Sequence, residues 1–183
     1  MTAMAPPVPP CPVRSEDPFF AADAARRFPQ FARRVRMSAE PGAAALARAE
    51  VAAAIRAWGV GVDPEVALLL TSELVTNAVT HGVVVAPNLG DGPSETADRV
   101  TLEITAGEAG LRVDVHDGSA DPPVLTVPAL ETERESGRGL LLVTSLAAEW
   151  GYYPTPVGKA VYFTLAVMTG GDENVDSAEK QAC

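Results

Sequence analysis

Residues Glu73 to Gly82 read E-L-V-T-N-A-V-T-H-G and end a longer run that begins at Asp63-Pro64-Glu65. Aspartate followed by proline is a common helix start, because the aspartate caps free N–H groups and proline suits the first turn. Glycine is typical of the position just after a helix. The run therefore predicts one long helix that ends at His81-Gly82.

Two polar residues, Glu73 and Asn77, interrupt the apolar side of this helix. They are one turn apart and so project into the same space, at roughly 100° per residue. Val66 and Leu70 lie between or beside them on the helical wheel. A carboxylate in such a stripe is costly unless it is paired, hydrated or ligated. From the helix alone, the pair can equally satisfy backbone groups at the rim of the core or hold a ligand.

The segments around this helix predict one sheet covered by helices. Strands are expected at 31–37, 100–105, 111–117, 150–153 and 160–167, and further helices at 41–58 and 140–147. This order has too few crossovers for a doubly wound sheet. It predicts an α+β fold, a two-layer sandwich with helices on one face of a mixed, largely antiparallel sheet. The first strand should be an exposed edge, and Leu46, Val51, Ile55 and Trp58 should face the core.

Composition limits the class of protein. The 183 residues include 14 basic and 24 acidic side chains, a net charge of −10 that is the wrong sign for general binding to nucleic acid or anionic lipid. The two cysteines lack C-x-x-C spacing, which argues against a structural disulfide or zinc site. No run approaches the roughly 18 apolar residues of a membrane span, and prolines interrupt the N-terminus where a signal peptide needs an apolar stretch. We therefore expect a cytoplasmic protein.

Three regions are expected along the chain. Residues 1–29 are rich in Pro and Ala and predict a disordered leader, because they cannot bury enough apolar surface to offset their chain entropy. Residues 169–183 are small, polar and acidic and predict a disordered tail. A single folded domain is expected at 30–168.

Two further features can contribute to a ligand site. Asp117 ends an alternating run and precedes Gly118, which places a carboxylate beside backbone that a ligand can approach closely, although such a residue is more often a turn aspartate. Gly137-Arg138-Gly139 precede Leu140 and a predicted helix, where free N–H groups can hold phosphate. Leu142 replaces the third glycine of the dinucleotide fingerprint, and no G-x-x-x-x-G-K-[ST] occurs.

Several stretches occur in a set order: E-L-V-T-N-A-V-T-H-G, V-D-V-H-D-G (113–118), S-G-R-G-L-L-L-V (136–143) and G-K-A-V-Y-F-T-L (158–165). Together they closely resemble the N-box and the glycine boxes of the ATP-binding fold shared by gyrase, Hsp90, histidine kinases and MutL. The short chain and the N-A-x-x-H-G ending resemble bacterial anti-sigma-factor serine/threonine kinases. The resemblance covers about residues 32–168.

This resemblance implies ATP and magnesium as cofactors. Glu73 would be the catalytic base, Asn77 would coordinate magnesium between the phosphates, and Asp117, with Gly118 beside it, would accept a hydrogen bond from the adenine amino group. The remaining residues at matching nucleotide-binding positions are His81, Gly137, Arg138, Gly139 and Leu140. His81 is favoured as a helix-end structural residue over a phosphate contact.

The resemblance also implies partners. The chain would phosphorylate a serine on a small antagonist protein, an anti-anti-sigma factor, and bind a sigma factor. The alternative is a non-catalytic module that uses ATP only to order its lid. Relatives often pair, so a homodimer is expected, and the strand Val35-Arg36-Met37 is the first place to look for its interface.

The sequence departs from the family pattern near the base and the lid. Ser119 and Asp121 replace family glycines, and Ala160 stands where many relatives have threonine, so a hydrogen bond to the adenine end is predicted to be missing. By alternation, His116 should point away from Asp117, which disfavours a metal site made with His81. Lys159 could approach a phosphate, although a surface lysine usually makes no specific contact.

Overall fold

The computed structural model describes residues 13–14, 30–82, 99–124 and 139–168. Its helices are α1 (Ala43–Trp58), α2 (Pro64–His81) and α3 (Gly139–Leu146). Its strands are β1 (Val13–Arg14), β2 (Phe31–Ser38), β3 (Arg99–Gly107), β4 (Gly110–Asp117), β5 (Glu149–Thr155) and β6 (Gly158–Ala166). The predicted tail, most of the predicted leader, and Gly137 and Arg138 lie outside the described residues.

The strands form one sheet in the order β1-β5-β6-β4-β3-β2. β1 pairs with β5 in parallel, and every other neighbouring pair is antiparallel. β2 lies at one end of this order, as predicted for an edge strand. The α+β class and the mixed, largely antiparallel sheet are therefore confirmed.

The helices cover one face of the sheet. Inward positions alternate along the central strands, and Leu102, Ile104, Val113 and Phe163 are fully buried in one core with the apolar residues of α1 and α2. Alternation places successive side chains on opposite faces, so the neighbours of these residues lie on the other side of the sheet. None of the helices in the described ranges has the length and apolarity to span a bilayer.

Helix α1 corrects part of the predicted core. Val51 and Ile55 are buried and Trp58 packs against the core, but Leu46 is 45% exposed. The alanines Ala43, Ala47 and Ala54 are buried instead. Small side chains let a helix approach its neighbours closely. The buried face of α1 therefore consists largely of alanines, which a prediction based on large apolar residues overlooks.

Helix α2 begins as its sequence predicts. The Asp63 side chain accepts hydrogen bonds from the N–H groups of Glu65 at 2.9 Å and Val66 at 3.2 Å, and Pro64 stands in the first turn. These bonds satisfy backbone donors that a helix start otherwise leaves free. The helix thus begins at a fixed residue, which sets where its later side chains lie.

The face of the sheet away from the helices carries a polar network. Arg112 donates two hydrogen bonds to Asp114, at 2.8 and 2.7 Å, and its guanidinium lies 3.7 Å from the centre of the Tyr162 ring. The Tyr162 hydroxyl donates to Glu149 at 3.1 Å. Burial and the nearby Glu149 charge raise the pKa of Tyr162 to about 12.

Candidate functional site

A cavity of about 420 Å³ opens where the end of α2, the end of β4 and the start of α3 meet. This volume lies within the roughly 300–1,000 Å³ typical of small-molecule sites. The predicted site residues that line it are Asn77, His81, Asp117, Gly139 and Leu140. Residues far apart in the sequence therefore surround one space large enough for a ligand.

Helix α2 supplies one wall of the cavity. Asn77 is half-buried, and His81, the last helical residue, is exposed at the cavity. Glu73, one turn before Asn77, is half-buried and does not line the cavity among the described residues. Its carboxylate instead lies so close to the backbone of Gly139 that a Cβ there would overlap Oε2.

The start of α3 thus packs directly on Glu73. Glycine at position 139 permits this approach, which no larger residue allows without a shift. The contact places a carboxylate beside the N-terminal end of a helix, where negative charge is favoured. Leu140, the next residue, is buried in the core and fixes α3 against α2. Gly137 and Arg138, predicted to belong to the same phosphate-binding turn, lie outside the described residues.

Asp117 is held in place by tight contacts around its backbone. Gly118 N–H donates to the carbonyl of Gly82 at 3.1 Å, which joins the end of β4 to the end of α2. A Cβ at Gly82 would overlap Asp117 Cβ, and a Cβ at Gly158 would overlap the Asp117 carbonyl oxygen. Gly82 has an ordinary right-handed conformation, with φ −94°. Position 82 therefore requires glycine because of close packing, and not because the helix ends in a left-handed conformation.

Lys159 is buried, which contradicts its interpretation as a surface lysine. Its side chain is 8% exposed, and its Nζ donates to Asp117 Oδ1 at 2.9 Å and to the Ser119 carbonyl at 3.3 Å. Lys159 and Asp117 face each other across β6 and β4. Breaking a buried ion pair by removing one partner typically costs about 3–5 kcal/mol. The site therefore contains a fixed positive charge beside its aspartate.

The side chain at position 160, where many relatives are expected to have threonine, does not face the cavity. Ala160 pairs with His116 and not with Asp117. Because directly opposite residues share a face, Ala160 points away from the cavity with His116, whose direction was predicted correctly. The residue of β6 that faces Asp117 is Lys159. Ala160 thus gives no reason to expect a missing contact to a base.

Ser119 and Asp121 form the turn that leaves β4. The Ser119 N–H donates to Asp117 Oδ1 at 2.9 Å, and the Asp121 N–H donates to the Ser119 hydroxyl at 3.2 Å. Ser119 is buried, whereas Asp121 is exposed and lines the cavity. Side-chain oxygens here hold the turn that glycines form in the family pattern, so the departure changes its chemistry and adds an acid to the wall.

Several cavity residues were not predicted from the sequence. They are Leu74, Pro122, Pro123, Val124 and Val161. Leu74 and Val161 belong to regular elements, and only their side-chain direction in the fold marks them. The prolines follow β4 in a stretch without regular structure, where no periodicity points to a site.

A magnesium nucleotide fits these residues chemically. One end of the cavity offers a carboxylate and an ammonium group for a base, and the other offers the Asn77 amide near the start of a helix. In the described part of the chain, no cluster of three or more His, Cys, Asp or Glu side chains could hold a metal. Magnesium is usually held by one or two protein oxygens together with phosphates and water, and Asn77 is the residue that would hold it here.

An α+β sandwich with a cavity of this composition defines a nucleotide-binding class of domain. The chain belongs to the histidine kinase-like ATPase domain family, whose model matches residues 37–165. It is therefore an ATP-binding domain. No curated protein matches the chain.

Proposed function

We propose that the chain binds ATP with magnesium in this cavity and transfers the γ-phosphoryl group to a serine of a small antagonist protein. Its regulatory partner would be a sigma factor, bound alternately with the antagonist. The observation that carries the proposal is the position of Glu73, one helical turn from Asn77 and directly against the first residue of α3. A base is thereby supported beside the helix start where phosphates are best held.

The two ends of the cavity have different chemistry. Asp117 offers an acceptor to the amino group of adenine, and the start of α3 offers backbone donors to phosphate. Asn77, on the α2 wall of the cavity, would hold magnesium through its amide oxygen, and the metal would neutralise charge on the phosphates when bound. This arrangement supports a single orientation of the nucleotide.

Glu73 would act in the transfer step as general base. It accepts the proton of the serine hydroxyl while the serine oxygen forms a bond to the γ-phosphorus. The bond from that phosphorus to the β–γ bridging oxygen breaks, and ADP leaves. The products are phosphoserine on the antagonist and ADP.

A second candidate function is binding without transfer. It is favoured because Glu73 packs against Gly139 and does not line the cavity among the described residues. A carboxylate held in this contact stabilises the junction of α2 and α3 whether or not it accepts a proton. In this alternative, ATP binding orders the partner surface and no phosphoryl group moves.

Binding and transfer are tested separately. Isothermal titration with Mg-ATP measures binding, and incubation with γ-labelled ATP and candidate antagonist domains from the host measures transfer to serine. We expect Glu73→Gln to keep ATP binding and to lower transfer by about 10²–10⁴-fold, the contribution of a general base. We expect Asn77→Ala to weaken the magnesium-dependent part of binding.

Glu65→Gln is the matched control, since it makes the same change on an exposed residue in the first turn of α2. It should leave both measurements unchanged. If ATP binds but label never reaches serine, and Glu73→Gln exchanges partners like the parent, the kinase proposal is wrong and the binding module is supported. If Mg-ATP gives no heat, both are wrong.

A homodimer is also proposed, with β2 as the interface. The position of β2 at the end of the strand order supports it, because an edge strand offers unpaired backbone groups. Met37 is buried in the core, so β2 offers a partner its backbone edge and not this side chain. Sedimentation of the protein over a range of concentrations tests this, and a species that keeps the monomer mass throughout would overturn it. We also propose a cytoplasmic location, since a sigma factor would act there.

A further inference from the structure

Lys159 and Asp117 together have hydrogen-bonding capacity that the described fold does not use. A lysine ammonium has three N–H donors, and Lys159 places two of them, on Asp117 Oδ1 and the Ser119 carbonyl. Asp117 Oδ1 accepts from Lys159 and from the Ser119 N–H. Within the described residues, no bond reaches Asp117 Oδ2 or the third Lys159 donor, and both residues line the cavity.

We propose that Lys159 recognises the nucleotide base together with Asp117. Asp117 Oδ2 accepts from the exocyclic amino group of adenine, and the third N–H of Lys159 donates to a ring nitrogen beside that amino group. This inference rests on the proposed binding of ATP in this cavity. It makes Lys159, on β6, a specificity-determining residue that offers the base a charged donor.

The pair matches the chemistry of adenine because an acceptor and a donor stand side by side. Adenine presents an amino donor next to a ring-nitrogen acceptor. Hypoxanthine presents a carbonyl acceptor next to an N–H donor, which is the reverse order on its Watson–Crick edge. A fixed acceptor–donor pair can satisfy only one of these orders without moving the base.

The packing around the pair keeps it fixed. Asp117 has no free space on two sides, since a Cβ at Gly82 or at Gly158 would overlap it. The Lys159 side chain is 8% exposed and the Asp117 side chain 4%. A buried ion pair is costly to rearrange, because either charge alone would be left unpaired in a poorly solvated place. The base must therefore adapt to the pair.

The two charges of the pair cancel, although Asp121 adds a separate acidic group to the same wall. An unpaired aspartate would repel the negative phosphates of the same ligand, and burial strengthens such interactions. Lys159 removes that repulsion and leaves Asp117 Oδ2 free as an acceptor. A direct phosphate contact of Lys159 would instead require its Nζ to leave Asp117.

Binding of base analogues tests the contact without any mutation. We expect the wild-type chain to bind Mg-ADP about 10- to 100-fold more tightly than IDP. We expect the same factor against one deaza analogue, the one that lacks the contacted nitrogen: 1-deaza-ADP if Lys159 contacts N1, or 7-deaza-ADP if it contacts N7. Equal binding of ADP and both deaza analogues would overturn the proposal. This measurement stands even if a Lys159 variant fails to fold.

Variants then link the effect to Lys159. We expect Lys159→Met to lose a similar factor for ADP and to show no further loss for the sensitive deaza analogue. The double variant Asp117→Asn with Lys159→Met leaves no unpaired buried charge, and circular dichroism shows whether each variant is folded. If Lys159→Met weakens binding of the sensitive deaza analogue by the same factor as binding of ADP, the proposal is overturned.

Adenosine separates base recognition from a phosphate contact. If Lys159 contacts the base, Lys159→Met weakens adenosine and ADP by the same factor. If the loss occurs with ADP and disappears with adenosine, Lys159 binds phosphate and the proposal is wrong. If the wild-type chain binds neither ADP nor ATP with magnesium, the proposed function itself is wrong. If it binds ADP and the deaza analogues equally well, only the role of Lys159 is wrong.

Discussion

Gly82→Ala adds one methyl group at the point where α2 meets β4. Gly82 is buried, its carbonyl accepts the Gly118 N–H at 3.1 Å, and its φ of −94° is open to alanine. Backbone strain therefore contributes nothing to the effect, which comes from packing alone. The added Cβ would overlap Ala78 O and Asp117 Cβ and lie 2.7 Å from Asp117 Cγ.

The size of the effect follows from these contacts. Ordinary contact begins at 3.4 Å, and two of the three neighbouring atoms belong to the same constrained aspartate. Overpacking of a tight site typically costs about 1–3 kcal/mol. At roughly 2–4 °C for each kcal/mol in a chain of this size, we expect a clear fall in melting temperature. Displacing Asp117 should also weaken Mg-ADP binding.

Thermal unfolding and titration with Mg-ADP measure the two effects. Gly42→Ala is the matched control, because a Cβ at Gly42 meets nothing within 4 Å and its φ is −74°. It adds no overlap, so it should lower the melting temperature by less than Gly82→Ala does and leave binding unchanged. If Gly82→Ala melts and binds like the parent, Asp117 is not positioned by this contact and the packing argument fails.

Two further predictions concern the core and the outer face of the sheet. Leu70→Ala should lower the free energy of unfolding in urea by about 2–5 kcal/mol, since Leu70 is fully buried in α2. Tyr162 has its pKa raised from 10.0 to about 12 by burial and by Glu149, so the folded state holds this proton more tightly than the unfolded state. Its contribution to stability is complete below pH 10 and should be lost as the pH rises towards 12, and Tyr162→Phe should reduce that loss in melting scans.

Each of these has its own control. Leu69→Ala removes the same side chain one residue earlier, where it is 39% exposed, and should cost much less than Leu70→Ala. Equal losses would show that the burial of α2 is wrongly assigned. For Tyr162, Tyr152→Phe removes a hydroxyl from the neighbouring strand and leaves the Glu149 contact intact. A parent and a Tyr162→Phe variant that lose stability in parallel above pH 10 would contradict the linkage.

Local patterns made much of the fold predictable. The Asp63-Pro64 start and the apolar stripe of α2 depend on contacts within one helix, and the alternation of β3 and β4 separates an apolar face towards the helices from a more polar face on the other side. These signals lie within a few residues of each other, so the sequence displays them directly. The same holds for the order of the motifs that predicted an ATP-binding domain.

The details of the candidate site depended on distant contacts. Lys159 looked like a surface residue because nothing near it in the sequence indicates that β6 pairs with β4, and the register that sets it opposite Asp117 joins strands separated by α3 and β5. Glu73 likewise shares a helix face with Asn77, but in the fold its carboxylate lies against Gly139 and is not among the described lining residues of the cavity.

The sequence by itself thus determined the helices, strands β2 to β6, the fold class and the ATP-binding family, because hydrophobic period, capping and motif order are properties of the chain. It did not show β1, which pairs with β5. Only the tertiary structure decided which charges face one another at the end of β4. Cross-strand register and the packing of glycine backbones are set by residues far apart in sequence, so the Asp117–Lys159 pair became visible only when the sheet was assembled.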